Sequence, residues 1–154
     1  MAETYRSLRD PGAVDALVAR LHKVHAERPR AWGRMTAHEM LCHLGDSFAG
    51  VLGDRPISPA ATWANRTIIK YIALHTSVAW PKGTPTRPEV DQTKAGTRPS
   101  DLARDRERVI TLLRRFAAPD TRYERHPIFG PLTRDEWMTW GWRHTDHHLR
   151  QFAV

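Results

Sequence analysis

The sequence has little cysteine and no long apolar run. Its single cysteine, Cys42, excludes an internal disulfide and fits a reducing compartment. The first ten residues contain no apolar stretch of the signal-peptide type. The most apolar segment, residues 68–80, contains Lys70 and follows Arg66, so it is too short and too charged to span a bilayer. These absences lead us to expect a cytoplasmic protein without a membrane partner.

Long runs of one charge sign are also absent. The formal net charge of +7 and the pI of about 10.3 suggest a nucleic-acid partner. The 17 acidic residues are interspersed among the basic ones, however, and no block of five like charges occurs. The best basic stripe is a set of arginines interleaved with acidic residues: Arg104, Arg106, Arg108, Arg114 and Arg115 among Asp101, Asp105 and Glu107. Nucleic-acid binding is therefore the weaker alternative.

The length and composition are those of a globular protein. A chain of 154 residues, 40% hydrophobic and 27% charged, fits a single domain over residues 1–154 that can bury a core. No internal repeat, heptad run or strand alternation occurs. The fold class expected from these patterns is all-α, with four or five helices in an up-down bundle.

Helix starts are marked by capping signals. Asp10 followed by Pro11 predicts the start of the first helix. Two capping boxes, beginning at Thr36 and Thr133, predict the second and last helices, because a threonine and a glutamate three residues later satisfy each other's backbone N–H groups. Ser100 predicts the cap of another helix.

The segment between the second helix and Ser100 is harder to interpret. A less certain helix is expected over about residues 60–79, with Ile68, Ile69, Ile72 and Leu74 as its apolar content. Residues 80–99 contain four prolines and two glycines, which predicts a loop. A loop of this length is often functional, as a lid or a pocket wall.

The last helix carries the chemistry. His144 and His148 are four residues apart, and Trp137, Trp140 and Gln151 fall within about 40° of His144 at 100° per residue. The opposite side carries charged residues, so this stripe should face inward. Buried imidazoles need polar partners, and a metal ion is such a partner. The alternative is that these are core histidines with ordinary hydrogen bonds, or caps on the end of the helix.

His43, on the second helix, is the candidate third ligand. It lies at the edge of the apolar arc of its helix, which suits either a ligand at the open end of a pocket or a half-exposed surface histidine. Three imidazoles would leave one or two coordination positions open, as in catalytic metal sites. Such a set suits zinc, nickel, iron or copper.

Other polar residues have weaker claims on the site. His147 points about 60° away from His144, so we expect it at the pocket rim, as a supporting group or a base. Cys42 points about 100° from His43 and should pack rather than act as a ligand. Glu39 and His126 could move protons, although a helix cap and an ordinary turn are the structural alternatives.

Several motifs together resemble the DinB-like (YfiT-like) superfamily of metal-dependent hydrolases, in a bacterial branch whose domain has no assigned function. The C-terminal motif is His126-Pro127-Ile128-Phe129-Gly130-Pro131-Leu132, then Glu136-Trp137, then His144-Thr145-Asp146-His147-His148-Leu149-Arg150-Gln151-Phe152. The upstream motifs are Trp32-Gly33-Arg34-Met35-Thr36, Glu39-Met40-Leu41-Cys42-His43-Leu44 and Trp80-Pro81-Lys82-Gly83. The resemblance covers nearly the whole chain.

The resemblance implies an up-down-down-up four-helix bundle with an extra helical and loop insertion. It also implies a divalent metal, often nickel or zinc, on His43, His144 and His148. Relatives with a known activity commonly transfer or isomerise groups with a low-molecular-weight thiol, and some are hydrolases.

We therefore expect a metal-dependent transferase, isomerase or hydrolase that acts on a small molecule, with His147, Glu39 or His126 moving the proton. A non-catalytic metal-binding protein and a nucleic-acid-associated protein of the DNA-damage type are the alternatives. A homodimer is left open.

Overall fold

The computed structural model describes residues 6–154, and within them the secondary structure is helical. Five α-helices occur in this part of the chain: α1 (Ala13–His22), α2 (Ala37–Val51), α3 (Lys70–His75), α4 (Leu102–Ala117) and α5 (Arg134–Gln151). A π-helical turn (Asn65–Ile69) runs directly into α3, and a 3-10 turn covers Pro88–Val90. No strand forms within residues 6–154, where the β-type pairing is one isolated bridge between His126 and Gly130. The all-α expectation is confirmed for these residues.

Both predicted capping boxes are present. Thr36 Oγ1 accepts from the Glu39 backbone N–H at 3.1 Å, and the Glu39 carboxylate accepts from the Thr36 N–H at 2.8 Å. Thr133 and Glu136 make the same pair of bonds at 3.2 and 2.8 Å. These caps fix the starts of the two helices that carry the candidate ligands.

The other two predicted helix starts are wrong by one or more residues. The first helix begins at Ala13, after Gly12 in a left-handed conformation, because the Asp10 carboxylate accepts from the N–H groups of Arg6 and Ser7 upstream. Asp101, not Ser100, caps α4 by accepting from the Arg104 N–H at 2.7 Å.

The core lies where α2, α4 and α5 meet. The α2 helix packs along α4, and α1 packs against both α4 and α5. Phe48 of α2, Phe116 of α4 and Trp140 of α5 form an aromatic cluster with ring centroids 5.1 to 5.9 Å apart. The stripe predicted on α5 faces inward, since Trp137, Trp140, His148 and Gln151 are buried. No helix in residues 6–154 has the length and apolar content needed to cross a lipid bilayer.

The expected helix over residues 60–79 is shorter than predicted and exposes most of its apolar side chains. Helical structure covers residues 63–75, of which Ala73 and Leu74 are buried. Ile68, Ile69 and Ile72 are exposed. The prediction was wrong because only one face of this segment packs on α5, and most of its large apolar side chains lie on the other faces.

A buried carboxylate fastens the second half of the 80–99 loop to α2. Asp46 is fully buried, and its two oxygens accept from the side chains of Gln92, Arg55 and Arg108 and from the backbone and hydroxyl of Thr97, at 2.7 to 3.3 Å. A buried charge with several donors is well solvated by the protein. This part of the loop is therefore a fixed wall.

Replacing Asp46 with asparagine should destabilise the protein. The substitution keeps the shape of the side chain but replaces one accepting oxygen with an N–H₂ group, which is itself a donor. It also leaves Arg55 and Arg108 without their anion. We expect a loss of about 2–3 kcal/mol in the free energy of unfolding, measured by urea denaturation. Asp54→Asn is the control, because its pair with Arg115 is solvent-exposed and should contribute little. Equal effects of the two substitutions would contradict this role of Asp46.

Candidate metal centre

Three histidines from two helices meet at one point. One ring nitrogen each of His43, His144 and His148 lies within 4.8 Å of the other two. The Nε2 atoms of His43 and His144 are 3.4 Å apart. His43 is 5% exposed and His148 9% exposed, whereas His144 is partly exposed. The i,i+4 spacing on α5 supplies two rings, and α2 supplies the third.

Hydrogen bonds to acceptors outside the group orient two of the rings. The Nδ1 of His43 lies 2.8 Å from the Val90 carbonyl oxygen, and the Nδ1 of His148 lies 3.2 Å from Oε1 of Gln151. The Gln151 amide donates its Nε2 to the Trp32 carbonyl at 2.8 Å, which identifies Oε1 as the acceptor. Because both partners only accept, each Nδ1 carries the proton, and each Nε2 offers a lone pair to the centre.

The third ring, His144, is positioned mainly by stacking. It lies against Trp140 with ring centroids 4.8 Å apart and an interplanar angle of 20°. Its Nδ1 is buried and has no hydrogen-bond partner among the described residues. With the other two rings fixed, the Nε2 of His144 faces the Nε2 of His43.

The spacing and chemistry of this donor set fit a metal ion. Metal–nitrogen distances of 2.0–2.1 Å in tetrahedral geometry place two ligand nitrogens about 3.3–3.4 Å apart. The His43 and His144 Nε2 atoms match that separation. Outward-facing Nδ1–H groups bound to a carbonyl and an amide are the usual supports of metal-binding histidines. The buried three-histidine group could therefore hold a metal ion.

The electrostatics keep these imidazoles neutral. Burial lowers the pKa of His43, and it lowers the pKa of His144 and His148 well below 6.5. The proximity of the other histidines adds to the effect at His144 and His148. Histidine binds metal only as the neutral base, so all three rings are ready to bind at neutral pH.

The predicted rim residue His147 lies beside the group but outside it. Its ring is 5.3 Å from that of His148 and packs edge-on against Trp32 at 5.7 Å and beside Trp80 at 6.2 Å. Burial is also the main reason that its pKa is lowered. Lys82 lies 4.5 Å over the Trp32 ring. These two tryptophans and Lys82 surround His147 next to the ligand set.

The other two candidates for proton transfer are occupied by local structure. Glu39 uses its carboxylate in the capping box of α2. His126 is buried, and its Nδ1 accepts from the N–H groups of Ile128 and Phe129 at 3.1 and 3.0 Å. These two bonds hold the ring in place and close the turn that follows it. Burial lowers the pKa of His126 to about 3. The geometry thus favours the cap and turn interpretations.

Cys42 belongs to a second cluster with different geometry. The Oδ2 of Asp105 lies 2.7 Å from Nε2 of His38 and 3.6 Å from Sγ of Cys42, and it also accepts from the Ser100 N–H. These ligand-type atoms lie within 4.8 Å of one another. A separation of 2.7 Å is a hydrogen bond and is shorter than two ligands of one metal ion allow. Cys42 packs, as expected, and does not reach the three histidines.

Three supporting features were not predicted from the sequence. They are the Val90 carbonyl, the Trp32 carbonyl and the buried Asp46, which holds the loop that presents Val90. Backbone carbonyls carry no sequence signal. Asp46 follows His43 by three residues on the buried side of α2, and that spacing was the available signal.

The structure is that of an all-α protein with a buried group of three histidines that could hold a metal ion. The chain belongs to the family described as "Protein of unknown function (DUF1569)", whose model matches residues 4–154. Comparison with curated proteins and with solved structures gave no match. The family description assigns no activity, so the function is argued from the geometry of the site.

Gln151 should control metal affinity through His148. In Gln151→Ala the Nδ1–H of His148 loses its acceptor, and we expect the dissociation constant for zinc to rise about 10- to 100-fold, measured by competition with a chromophoric chelator. Gln151→Glu keeps an acceptor and should stay closer to the unchanged protein. Equal losses in both variants would mean that Gln151 acts only through packing.

The metal-free protein should lose stability as the pH falls below about 6.5. A buried histidine whose folded pKa is lowered takes its proton more readily in the unfolded chain, so stability is complete above the unfolded pKa of about 6.5 and declines below it. For His126 the decline should extend towards pH 3, at about 1.4 kcal/mol per pH unit. Urea denaturation of chelator-treated protein between pH 7 and 4 measures this slope. His126→Asn should reduce it, and an unchanged slope would show that His126 is already protonated in the folded state.

Proposed function

We propose that the chain is a metal-dependent enzyme of the DinB-like superfamily that acts on a small molecule. The proposed ligands are His43, His144 and His148, and the proposed metal is zinc or nickel. The observation that carries the proposal is the convergence of three imidazoles, two of which, His43 and His148, have their tautomers set by acceptors outside the group. No fourth histidine, cysteine or carboxylate joins the group within residues 6–154, which is typical of a catalytic site.

The protein's own residues would position the metal and a proton. A divalent metal held there supplies Lewis acidity, which lowers the pKa of water or of a thiol that enters its open position. His147 is the best placed base, because its ring lies beside His148 and forms no hydrogen bond with the described residues. Its lowered pKa keeps it neutral and able to accept a proton near pH 7.

The reaction we propose is group transfer or isomerisation with a low-molecular-weight thiol, with hydrolysis as the alternative. A metal held by the three neutral imidazoles would bind either a thiol or water. Trp32, Trp80 and Lys82 would form the wall against which the substrate binds. Arg143 donates to the carbonyls of Ala73 and Thr76, so its guanidinium fixes α3 and is not free to bind substrate.

We propose further that α1, α2, α4 and α5 are the four helices of an up-down-down-up bundle. The contacts of α1 with α4 and α5, of α2 with α4, and of α4 with α5 support this arrangement. The π-helical turn, α3 and the loop up to residue 99 would then be the insertion between the second and third bundle helices.

The nucleic-acid alternative loses much of its basic stripe. Arg106 donates to the Val24 carbonyl, Arg108 pairs with the buried Asp46, and Arg115 pairs with Asp54. Arginines that are engaged internally have less to offer to phosphates. A metal-binding protein without catalytic activity would use the same three ligands. The two functions differ in whether a further molecule can bind the metal.

Substitutions at His144 and His147 should distinguish the proposed metal ligand from the proposed base. His144→Ala should abolish stoichiometric metal binding, because it removes one of three ligands. His147→Ala should keep most of the metal, measured by elemental analysis of natively purified protein. Azide, imidazole or a simple thiol should alter the visible spectrum of the cobalt-substituted protein by entering the open position.

Two outcomes would overturn the proposal. A full equivalent of metal in His144→Ala would show that the ligand assignment is wrong. A cobalt spectrum that none of the three added molecules changes would indicate a closed coordination sphere and would favour the metal-holding function.

A further inference from the structure

The exposed large apolar side chains of the described chain are confined to one segment. They are 39% to 69% exposed and are Trp63, Ile68, Ile69, Tyr71, Ile72 and Val78. Single exposed apolar residues are ordinary, but a contiguous set marks a surface that contacts something other than water. We refer to these six residues together with Arg66 as the 63–78 surface.

The chain segment that carries this surface has charged residues of one sign only. Residues 55–88 contain no aspartate or glutamate, although the chain has 17 acidic residues. Arg66 is exposed and forms no salt bridge with the described residues. Lys70 and His75 face the nearly buried Glu136 of α5, so this carboxylate is already paired. The surface therefore combines six apolar side chains with one cation, Arg66, that is unpaired within residues 6–154.

The helix that carries the surface is held in place from its other side. Its buried residues Ala73 and Leu74 face the protein. Arg143 donates to the carbonyls of Ala73 and Thr76 at 2.7 Å each, and Trp80 Nε1 donates to the Ala73 carbonyl at 3.0 Å. The exposed face is thus preformed, so binding need not order a flexible segment.

A second copy of the chain is a poorer fit than an anionic surface. A two-fold dimer places the same patch on both sides of the interface, so the acid-free segment that contains Arg66 would pack against a second acid-free segment. Like charges at an interface oppose association. The net charge of +7 adds to this repulsion and favours an anionic partner.

We propose that the 63–78 surface docks on a membrane that contains anionic lipids. The protein lies on the bilayer and does not cross it. Isoleucine side chains enter the boundary between headgroups and acyl chains, tryptophan and tyrosine occupy the interface, and Arg66 contacts lipid phosphates. The proposal departs from our expectation of no membrane partner, which considered only a membrane-spanning segment.

Vesicle flotation of the 154-residue protein tests the proposal. One set of vesicles contains phosphatidylcholine alone, and in the other a third of the lipid is phosphatidylglycerol. We expect binding to the anionic vesicles to be at least about tenfold stronger and to weaken as salt is added. Ile68→Ser combined with Ile72→Ser should lower this binding at least about tenfold, because two apolar side chains no longer enter the interface.

Matched charge variants separate the surface from general basicity. Arg66→Glu and Arg114→Glu change the net charge equally, and Arg114 is an exposed residue of α4. Arg66→Glu should weaken binding to anionic vesicles several-fold more than Arg114→Glu does. Circular dichroism melts of all variants show whether each one is folded, and folding is expected because the replaced side chains are exposed.

Three results would overturn the proposal. The first is that the unchanged protein binds neither kind of vesicle. The second is that the isoleucine and Arg66 variants, folded, bind anionic vesicles as well as Arg114→Glu. The third is a dimer in sedimentation velocity that the isoleucine variant converts to a monomer, which would assign the surface to a second copy of the chain.

Discussion

The hydrogen bond from the Nδ1–H of His43 to the Val90 carbonyl connects the fold to the candidate site. His43 is on α2, and Val90 is in a loop that Asp46, one helical turn after His43, fastens through Gln92 and Thr97. The same helix therefore supplies the ligand and the anchor of the loop that orients it. A second pair of hydrogen bonds connects the Trp32 carbonyl through Gln151 to His148. Both sets of hydrogen bonds are needed because Nε2 of an imidazole can bind a metal only when the proton is on Nδ1.

The site places conflicting demands on stability. Buried neutral histidines that face one another are unfavourable in a core, since their inward lone pairs lack donors. A bound metal would relieve that conflict and stabilise the folded state by mass action. The His38–Cys42–Asp105 cluster shows the opposite solution, because its polar atoms satisfy one another directly. The contrast distinguishes a group arranged to receive an ion from one that closes on itself.

Local signals made part of this structure predictable from the sequence. The capping boxes at Thr36 and Thr133 and the i,i+4 pair on α5 depend on neighbouring residues only, and they placed the helices and the inward face of α5. The burial of His43 could not be decided, because its position at the edge of an apolar arc allowed two outcomes. The exposure of Ile68 and Ile72 was missed, since it depends on which face of the segment α5 covers.

X-ray absorption spectroscopy of the protein purified with its own metal tests the central claim most directly. We expect about three imidazole nitrogens near 2.0–2.1 Å and one or two further nitrogen or oxygen atoms, without sulfur. This shell would match His43, His144 and His148 with an exchangeable position. In protein prepared without any free thiol, a shell that contains sulfur at about 2.3 Å would place the metal at Cys42 and contradict the account.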